Sequence, residues 1–247
     1  MMLRTEGLTK SFGGLMAVNK VDLDIEEGEV SSIIGPNGAG KTTLFNLLTG
    51  HIHLDSGRIL FKGEDITKLP PHRICQRKLG RSFQRVNIFP RLSTFDNVQV
   101  AVLSEKKRSL DFFSQVKKIA RDETNEILES VGLGDKKDVV SGFLAHGDQR
   151  RLEIGIALAN RPELLLLDEP TAGMSPEETK ETTALIARLG REGNLTILFT
   201  EHDMNVVFRI SERIRVMYMG QIIVEGKPEE VRANDEVRRI YLGEEAR

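Results

Sequence analysis

Near the start of the chain, Gly35-Pro36-Asn37-Gly38-Ala39-Gly40-Lys41-Thr42 has the spacing of a loop that wraps an anion. Its glycines let the backbone curl so that successive N–H groups face inward. A short apolar run, Val30 to Ile34, leads into it, and Lys41 to Leu48 reads as a helix closed near Gly50. That helix would turn its positive end toward the same anion. Lys41 would reach the β- and γ-phosphates of a nucleoside triphosphate, and the Thr42 hydroxyl would bind Mg²⁺. Such a loop specifies the ligand class without saying what the energy does.

A second group of residues narrows the chemistry. Leu164-Leu165-Leu166-Leu167-Asp168-Glu169-Pro170 is an apolar strand that delivers two carboxylates at its end. The first suits Mg²⁺, and the second suits proton transfer from an attacking water. Alone, the pair could equally cap a helix or form a salt bridge; beside a phosphate loop it points to hydrolysis. Glu201-His202-Asp203 follows another buried run, Leu195 to Thr200. The triplet by itself could suggest a metal site or a structural histidine. Its place after a core strand puts His202 at the edge where nucleotide should lie.

These groups are far apart in sequence, so a particular fold must gather them. The first 28 residues alternate polar and apolar, as in Val21-Asp22-Leu23-Asp24-Ile25-Glu26, which predicts half-buried strand ending at Glu27-Gly28. Arg58 to Phe61 reads as strand, and Pro70-Pro71 suits the first turn of a short helix ending before Gly80. Between about Gln84 and Leu144 the strand pattern fades. Phe112, Val116, Ile119, Ile127 and Val131 recur on one helical face. Strand–helix alternation then resumes, with Ser175-Pro176-Glu177-Glu178 a capped helix start. The expected fold class is α/β: a phosphate-loop core with a mostly parallel sheet, an N-terminal antiparallel β part, and an inserted helical part. The whole of 1–247 is read as one domain, with its core at about 1–84 and 150–247 and its helical part at about 85–149.

Composition sets limits. With 35 basic against 37 acidic residues and a net charge of −2, there is no global attraction to nucleic acid. Clusters such as Lys106-Lys107-Arg108 are expected to be solvated faces. One cysteine, Cys75, precludes an intrachain disulfide and suits a reducing compartment. No apolar run approaches the roughly 20 residues a spanning helix needs, so a role at a membrane would require a partner.

Taken in order, the motifs resemble those of the nucleotide-binding subunits of ABC transporters, across nearly the whole chain. Gly35 to Thr43 matches the Walker A loop, and Leu164 to Glu169 matches Walker B with its glutamate. Gln84, in Arg81-Ser82-Phe83-Gln84, matches the Q-loop. Leu144-Ala145-His146-Gly147-Asp148-Gln149 falls at the signature, Ala172 to Ser175 at the D-loop, and His202 at the H-loop. Phe12 lies where the family places an aromatic ring against adenine, although core packing would equally account for it. The resemblance implies an ATPase using ATP and Mg²⁺. Gly35, Pro36, Asn37, Gly38, Ala39, Gly40, Lys41, Thr42 and Thr43 would hold ATP; Thr42, Gln84 and Asp168 would serve the metal. Glu169, His202 and Gln84 would act in catalysis, with Gln84 also sensing a membrane partner.

Departures mark the signature. Ala145 stands where serine is usual, removing one hydroxyl donor worth roughly 0.5–1.5 kcal/mol. His146, Asp148 and, in the D-loop, Ser175 also depart from the common pattern. Gly147 remains, and the helix expected to begin near Gln149 would still offer its N-terminus to a partner's nucleotide.

Within the group, the motifs Arg150-Arg151-Leu152-Glu153-Ile154-Gly155, Thr171-Ala172-Gly173-Met174 and Ile240-Tyr241-Leu242-Gly243-Glu244 are similar to those of ATPases of branched-chain amino-acid importers. Relatives of that kind serve urea or short amides. Lipopolysaccharide-export ATPases look similar, and a soluble ABC ATPase acting outside transport is the remaining alternative. The resemblance implies a second ATPase subunit, identical or related, together with transmembrane permease subunits and an external solute-binding protein. It also implies a peripheral location on the cytoplasmic face of the inner membrane.

Overall fold

The computed structural model describes residues 1–82, 87–105, 114–192 and 195–242. The alternating N-terminal segment forms a hairpin, β1 (Leu3–Phe12) and β2 (Leu15–Ile25), with Leu3 opposite Ile25 and Phe12 opposite Leu15. After it come β3 (Val30–Ile34), the phosphate loop and α1 (Lys41–Leu48), then β4 (Ser56–Phe61) and β5 (Glu64–Asp65). α2 (Pro71–Gln76) starts on its proline and is followed by β6 (Leu79–Arg81). A helical stretch follows: α3 (Thr94–Glu105), α4 (Ser114–Ser130) and α5 (His146–Leu158), with single 3-10 turns at Gly134–Lys136 and Ser141–Phe143. The chain closes with β7 (Leu164–Asp168), α6 (Pro176–Glu192), β8 (Thr196–Thr200), α7 (Met204–Ile210), β9 (Arg213–Tyr218), β10 (Gln221–Gly226), α8 (Pro228–Ala233) and α9 (Asp235–Leu242).

Two sheets result. One is antiparallel, in the order β2-β1-β4-β5; the other has the order β10-β9-β3-β8-β7-β6, and all of its pairings are parallel except β10 on β9. β3, β7 and β8 are buried at every residue, as continuous apolar runs require when both faces of a sheet are covered. Alternation sorts their side chains into two cores. Ile33, Leu164, Leu166 and Leu198 pack with the hairpin and α1, while Ile34, Leu165, Leu167, Ile197 and Phe199 pack toward the helices.

The register decides where the chemistry lies. Thr200 pairs with Ile33 on one side and with Asp168 on the other. The phosphate loop, the two carboxylates and the 201–203 triplet therefore leave the sheet at one level of one edge.

The structure corrects the reading of the helical part and its flanks at several points. β6 was not anticipated, because a three-residue strand carries too little periodicity to register. α5 begins at His146, three residues before the expected Gln149. Val131 and Ile127 lie on the apolar core as the spacing predicts. Phe112 and the side chains of Val116 and Ile119 lie outside what is described, as does Gln84 with its neighbours 83–86. At α6, Ser175 N–H donates to Glu178 at 2.9 Å and Glu178 N–H donates to the Ser175 hydroxyl at 3.4 Å, the expected reciprocal cap.

Candidate nucleotide site

The phosphate loop is wedged between two strands. A Cβ on Gly40, which has φ +107°, would lie 2.2 Å from the Ala17 carbonyl oxygen, and one on Gly35 would lie 2.0 Å from the Met217 carbonyl oxygen. Neither position can carry a side chain, so the turn into α1 is fixed by close backbone approach. Lys41 opens α1 and is only 6% exposed; its Nζ donates to the Gly35 carbonyl at 2.6 Å and to the Pro36 carbonyl at 3.0 Å. The ammonium thus sits inside the curl of the loop, with Thr42 and Thr43 beside it at the start of the helix.

A cleft of about 700 Å³ opens above this loop, floored by Asn37 to Thr43 and reached by Glu169. Phe12, Leu15, Met16 and Met219 form an apolar wall at its mouth, and all four are exposed. Phe12 is 49% exposed, with the Lys10 ammonium 5.5 Å from its ring centroid, so it is not a core residue. An exposed ring beside a phosphate loop can take the flat face of a base.

The two carboxylates face different surroundings. Asp168 is 1% exposed. Its Oδ1 accepts from the Thr200 hydroxyl at 2.8 Å and its Oδ2 from the Arg81 guanidinium at 3.0 Å. Arg81 also donates to Asn46 Oδ1 at 2.7 Å and to Thr49 Oγ1 at 3.1 Å, both on or next to α1. Burial draws the Arg81 pKa down, and the Asp168 charge pulls it back up. Glu169 lies one residue past the strand with φ +49°, a left-handed backbone that is uncommon for a side-chain-bearing residue. Its N–H donates to both the carbonyl and the hydroxyl of Thr200, each at 3.1 Å, which holds the turn. Its Oε1 is 2.7 Å from Nε2 of His202. The structure thus brings Lys41, Asp168, Glu169 and His202 to one edge.

The triplet after β8 disperses. Glu201, 3% exposed, accepts from Thr171 N–H at 2.9 Å and from its hydroxyl at 2.6 Å. His202 turns to Glu169, and Asp203 caps α7 by accepting from Asn205 N–H at 2.8 Å. The metal reading of these three residues falls, and no group of three or more potential metal-binding side chains occurs among the described residues. Of the residues expected to serve a cation, Thr42 supplies one hydroxyl and Asp168 one carboxylate, with any further oxygens left to a nucleotide. That suits Mg²⁺, which is bound through one or two carboxylates plus phosphates rather than in an all-protein cage.

The signature lies apart from this cleft. Ala145 is the residue before α5, Leu144 is buried, and Gln149 Nε2 donates back to the Leu144 carbonyl at 3.1 Å. Asp148 is buried and paired with Lys136 at 2.6 Å and with Arg151. Gly147 N–H donates to Glu178 Oε1 at 3.0 Å. Backbone hydrogen bonds from Ser175 and then Gly147 hold the Glu178 carboxyl below its ordinary pKa. None of Leu144 to Gln149 lines the cleft of its own chain.

Three residues at or around the site were missed, Arg81, Thr200 and Glu178 in its contact with Gly147, while Glu201 was read only as part of a possible metal triplet. Only Glu178 had a sequence signal, its capping position. The others act through cross-strand register, which sequence spacing does not reveal.

A loop wedged to wrap phosphate, a helix starting on its lysine, and strand-end carboxylates at the same edge define a phosphate-loop protein that binds a nucleoside triphosphate. The comparisons with known proteins narrow this. Residues 18–172 match the "ABC transporter" family model, and residues 221–247 match that of the "Branched-chain amino acid ATP-binding cassette transporter". The chain is 42% identical over 252 residues to the high-affinity branched-chain amino acid transport ATP-binding protein BraF of Pseudomonas aeruginosa, covering 98% of each chain. It is 42% identical to LivG of Escherichia coli, described in the same terms, again over 98% of each, and 36% identical to the lipopolysaccharide export ATP-binding protein LptB of Haemophilus influenzae. An ATP-binding cassette of an ABC transporter in its ADP conformation superposes with a TM-score of 0.85 at 30% identity, over 98% of each chain. A dimeric cassette bound to ADP and Pi gives 0.79 at 28% identity, over 92% of this chain and 99% of the other. This chain belongs to the ABC transporter family, as an ATP-binding subunit with the ABC ATPase fold. No described helix is long and apolar enough to cross a membrane.

Removing the Lys41 ammonium takes the main cation from the loop. Lys41→Ala should weaken binding of a fluorescent ATP analogue by about 10- to 100-fold, the range for hydrogen bonds to a charged group. Unchanged affinity would place the nucleotide elsewhere.

Proposed function

We propose that this chain hydrolyses ATP, as Mg·ATP, to drive import of branched-chain amino acids or related small polar solutes through a membrane partner. The observation that carries the hydrolysis is Glu169, which lines the cleft one residue beyond the buried Asp168 and whose carboxylate meets His202 at 2.7 Å. The cargo is supported by the likeness to BraF and LivG over nearly the whole chain, and by the match of residues 221–247. The likeness to LptB keeps lipopolysaccharide export as the second reading.

In this reading the loop N–H groups and Lys41 hold the β- and γ-phosphates, and Thr42 with Asp168 holds the cation. Mg²⁺, when bound, neutralises charge on the phosphates as the terminal bond breaks. Glu169 takes the proton from water aimed at the γ-phosphate, and His202 contacts that phosphate while fixing the orientation of the glutamate. Gln84, outside the described residues, would touch the metal or the water. The start of α5, from Leu144 to Gln149, faces a second copy or a related chain and offers its N–H groups to that chain's nucleotide. Ala145 takes one hydroxyl donor from this contact, and Gly147 N–H, given to Glu178 in the single chain, would have to change partner to join it.

An apolar ridge supplies a surface for the permease. Leu92, Val139 and Val140 are more than a third exposed, Phe89 is 54% exposed, and Phe143 is 85% exposed. Ser141 N–H donates to the Leu92 carbonyl at 2.9 Å and Gly142 N–H to the Pro90 carbonyl at 3.0 Å, stitching the two segments together. Ile88, by contrast, packs against the core, and Val86 lies outside the described residues. A cytoplasmic helix of the permease would cover this ridge, holding the chain at the inner face of the membrane, with a solute-binding protein on the far side.

Two outcomes test this function. Glu169→Gln should lower turnover by about 10²- to 10⁴-fold while leaving ATP binding intact. On a sizing column the variant should elute as a dimer with ATP and as a monomer without it; wild-type turnover would remove Glu169 from the mechanism. Phe89→Asp should abolish uptake of radiolabelled leucine by cells carrying the complete transporter, while the purified subunit keeps its thermal midpoint and basal ATPase. Undiminished uptake would place the permease contact elsewhere. Loss of surface lipopolysaccharide in place of leucine uptake would favour the export reading.

A further inference from the structure

Arg81 is a buried cation that the hydrolytic mechanism above does not use. Its side chain is 5% exposed and that of Asp168 is 1% exposed, so the pair is sealed from water. The guanidinium is not placed by Asp168 alone. One nitrogen is anchored by Asn46 on the helix that begins with Lys41 and Thr42 and by Thr49 just after it, while the other faces Asp168. The arrangement fixes a positive charge against the carboxylate proposed to serve the metal, on the far side from the Thr200 hydroxyl.

A buried carboxylate is costly to the fold unless it is paired and hydrogen-bonded. Before Mg·ATP arrives, the cation that this carboxylate faces is the guanidinium, 3.0 Å from Oδ2. Once a divalent cation comes to the same carboxylate, the two cations repel each other, so the residue that prepares Asp168 also weakens its hold on the metal.

We propose that Arg81 is a positioning residue: it serves as resident counter-cation of Asp168 in the nucleotide-free chain, holding that carboxylate in place, and it opposes the metal electrostatically once Mg·ATP binds. This rests on the reading of Asp168 as the metal carboxylate. A purely structural role, tying β6 to α1, would change stability but not the response to metal.

The experiment is thermal unfolding of the purified full chain with a non-hydrolysable ATP analogue, first in EDTA and then across a Mg²⁺ titration. Wild type, Arg81→Met, Arg81→Lys and Asp168→Asn are compared. Without ligand, Arg81→Met should melt several degrees below wild type, because it strands a buried charge. The analogue in EDTA should raise both midpoints equally. Added Mg²⁺ should then raise the midpoint of Arg81→Met by more than that of wild type, with half-saturation at about 3- to 30-fold lower Mg²⁺, as removal of a nearby like charge requires. Arg81→Lys should melt lower than wild type yet keep its Mg²⁺ half-saturation within about twofold, since charge rather than shape sets the coupling. If Arg81→Met does not fold, Arg81→Gln, which keeps amide donors for Asn46 and Thr49, reads the same shift. An equal Mg²⁺ increment in wild type and in the neutral variant overturns the counter-cation role and leaves Asp168 as the metal carboxylate. Mg²⁺ stabilisation that survives undiminished in Asp168→Asn overturns the metal assignment, and the proposal with it.

Discussion

The site depends on one alignment: Thr200 lies between Ile33 and Asp168 in the parallel sheet. Its hydroxyl holds Asp168, and its carbonyl and hydroxyl together receive the Glu169 N–H. β3 enters the phosphate loop within two residues of the same level. A one-residue slip of β7 would turn Asp168 to the opposite face, because side chains alternate along a strand. The slip is resisted because all three strands are buried on both faces, so any other register would expose or misplace a run of leucines.

The core that enforces this register must tolerate groups that favour unfolding. Lys41, Asp168 and Arg81 are charges removed from water, and each is held by specific partners within the site. Glu169 adds a left-handed backbone at the point where a carboxylate must leave the strand. Strain and buried charge concentrate where binding a highly charged ligand can relieve them. The departures at the start of α5 are held within the chain in the same way: Asp148 turns inward to Lys136 and Arg151, and Gly147 N–H is taken by Glu178.

The phosphate loop, the strand-end carboxylates and the capped start of α6 were legible in the sequence because each is a local pattern with one mechanical meaning. The buried strands were legible as continuous apolar runs. Arg81 was not, since it sits in a three-residue strand and its partners lie 35 and 32 residues before it and 87 after it. Glu201 was ambiguous for a related reason: its buried role toward Thr171 depends on two strand ends lying side by side. Phe12 could have been core or platform from its residue type, and only its exposure above the loop separates the two. The start of α5 was placed late because Gly147 and Asp148 are weak helix formers, while the helix is held there by the bonds of Glu178 and Lys136.

The central claim is a division of labour between adjacent carboxylates, with Asp168 serving the metal and Glu169 the proton. Binding of Mn²⁺ in place of Mg²⁺, followed by electron paramagnetic resonance in the presence of a non-hydrolysable ATP analogue, separates the two directly. The account predicts that Glu169→Gln binds Mn²⁺ as tightly as wild type, while Asp168→Asn loosens it by at least about tenfold with nucleotide affinity in EDTA unchanged. Loosening in Glu169→Gln, with Asp168→Asn like wild type, would contradict it.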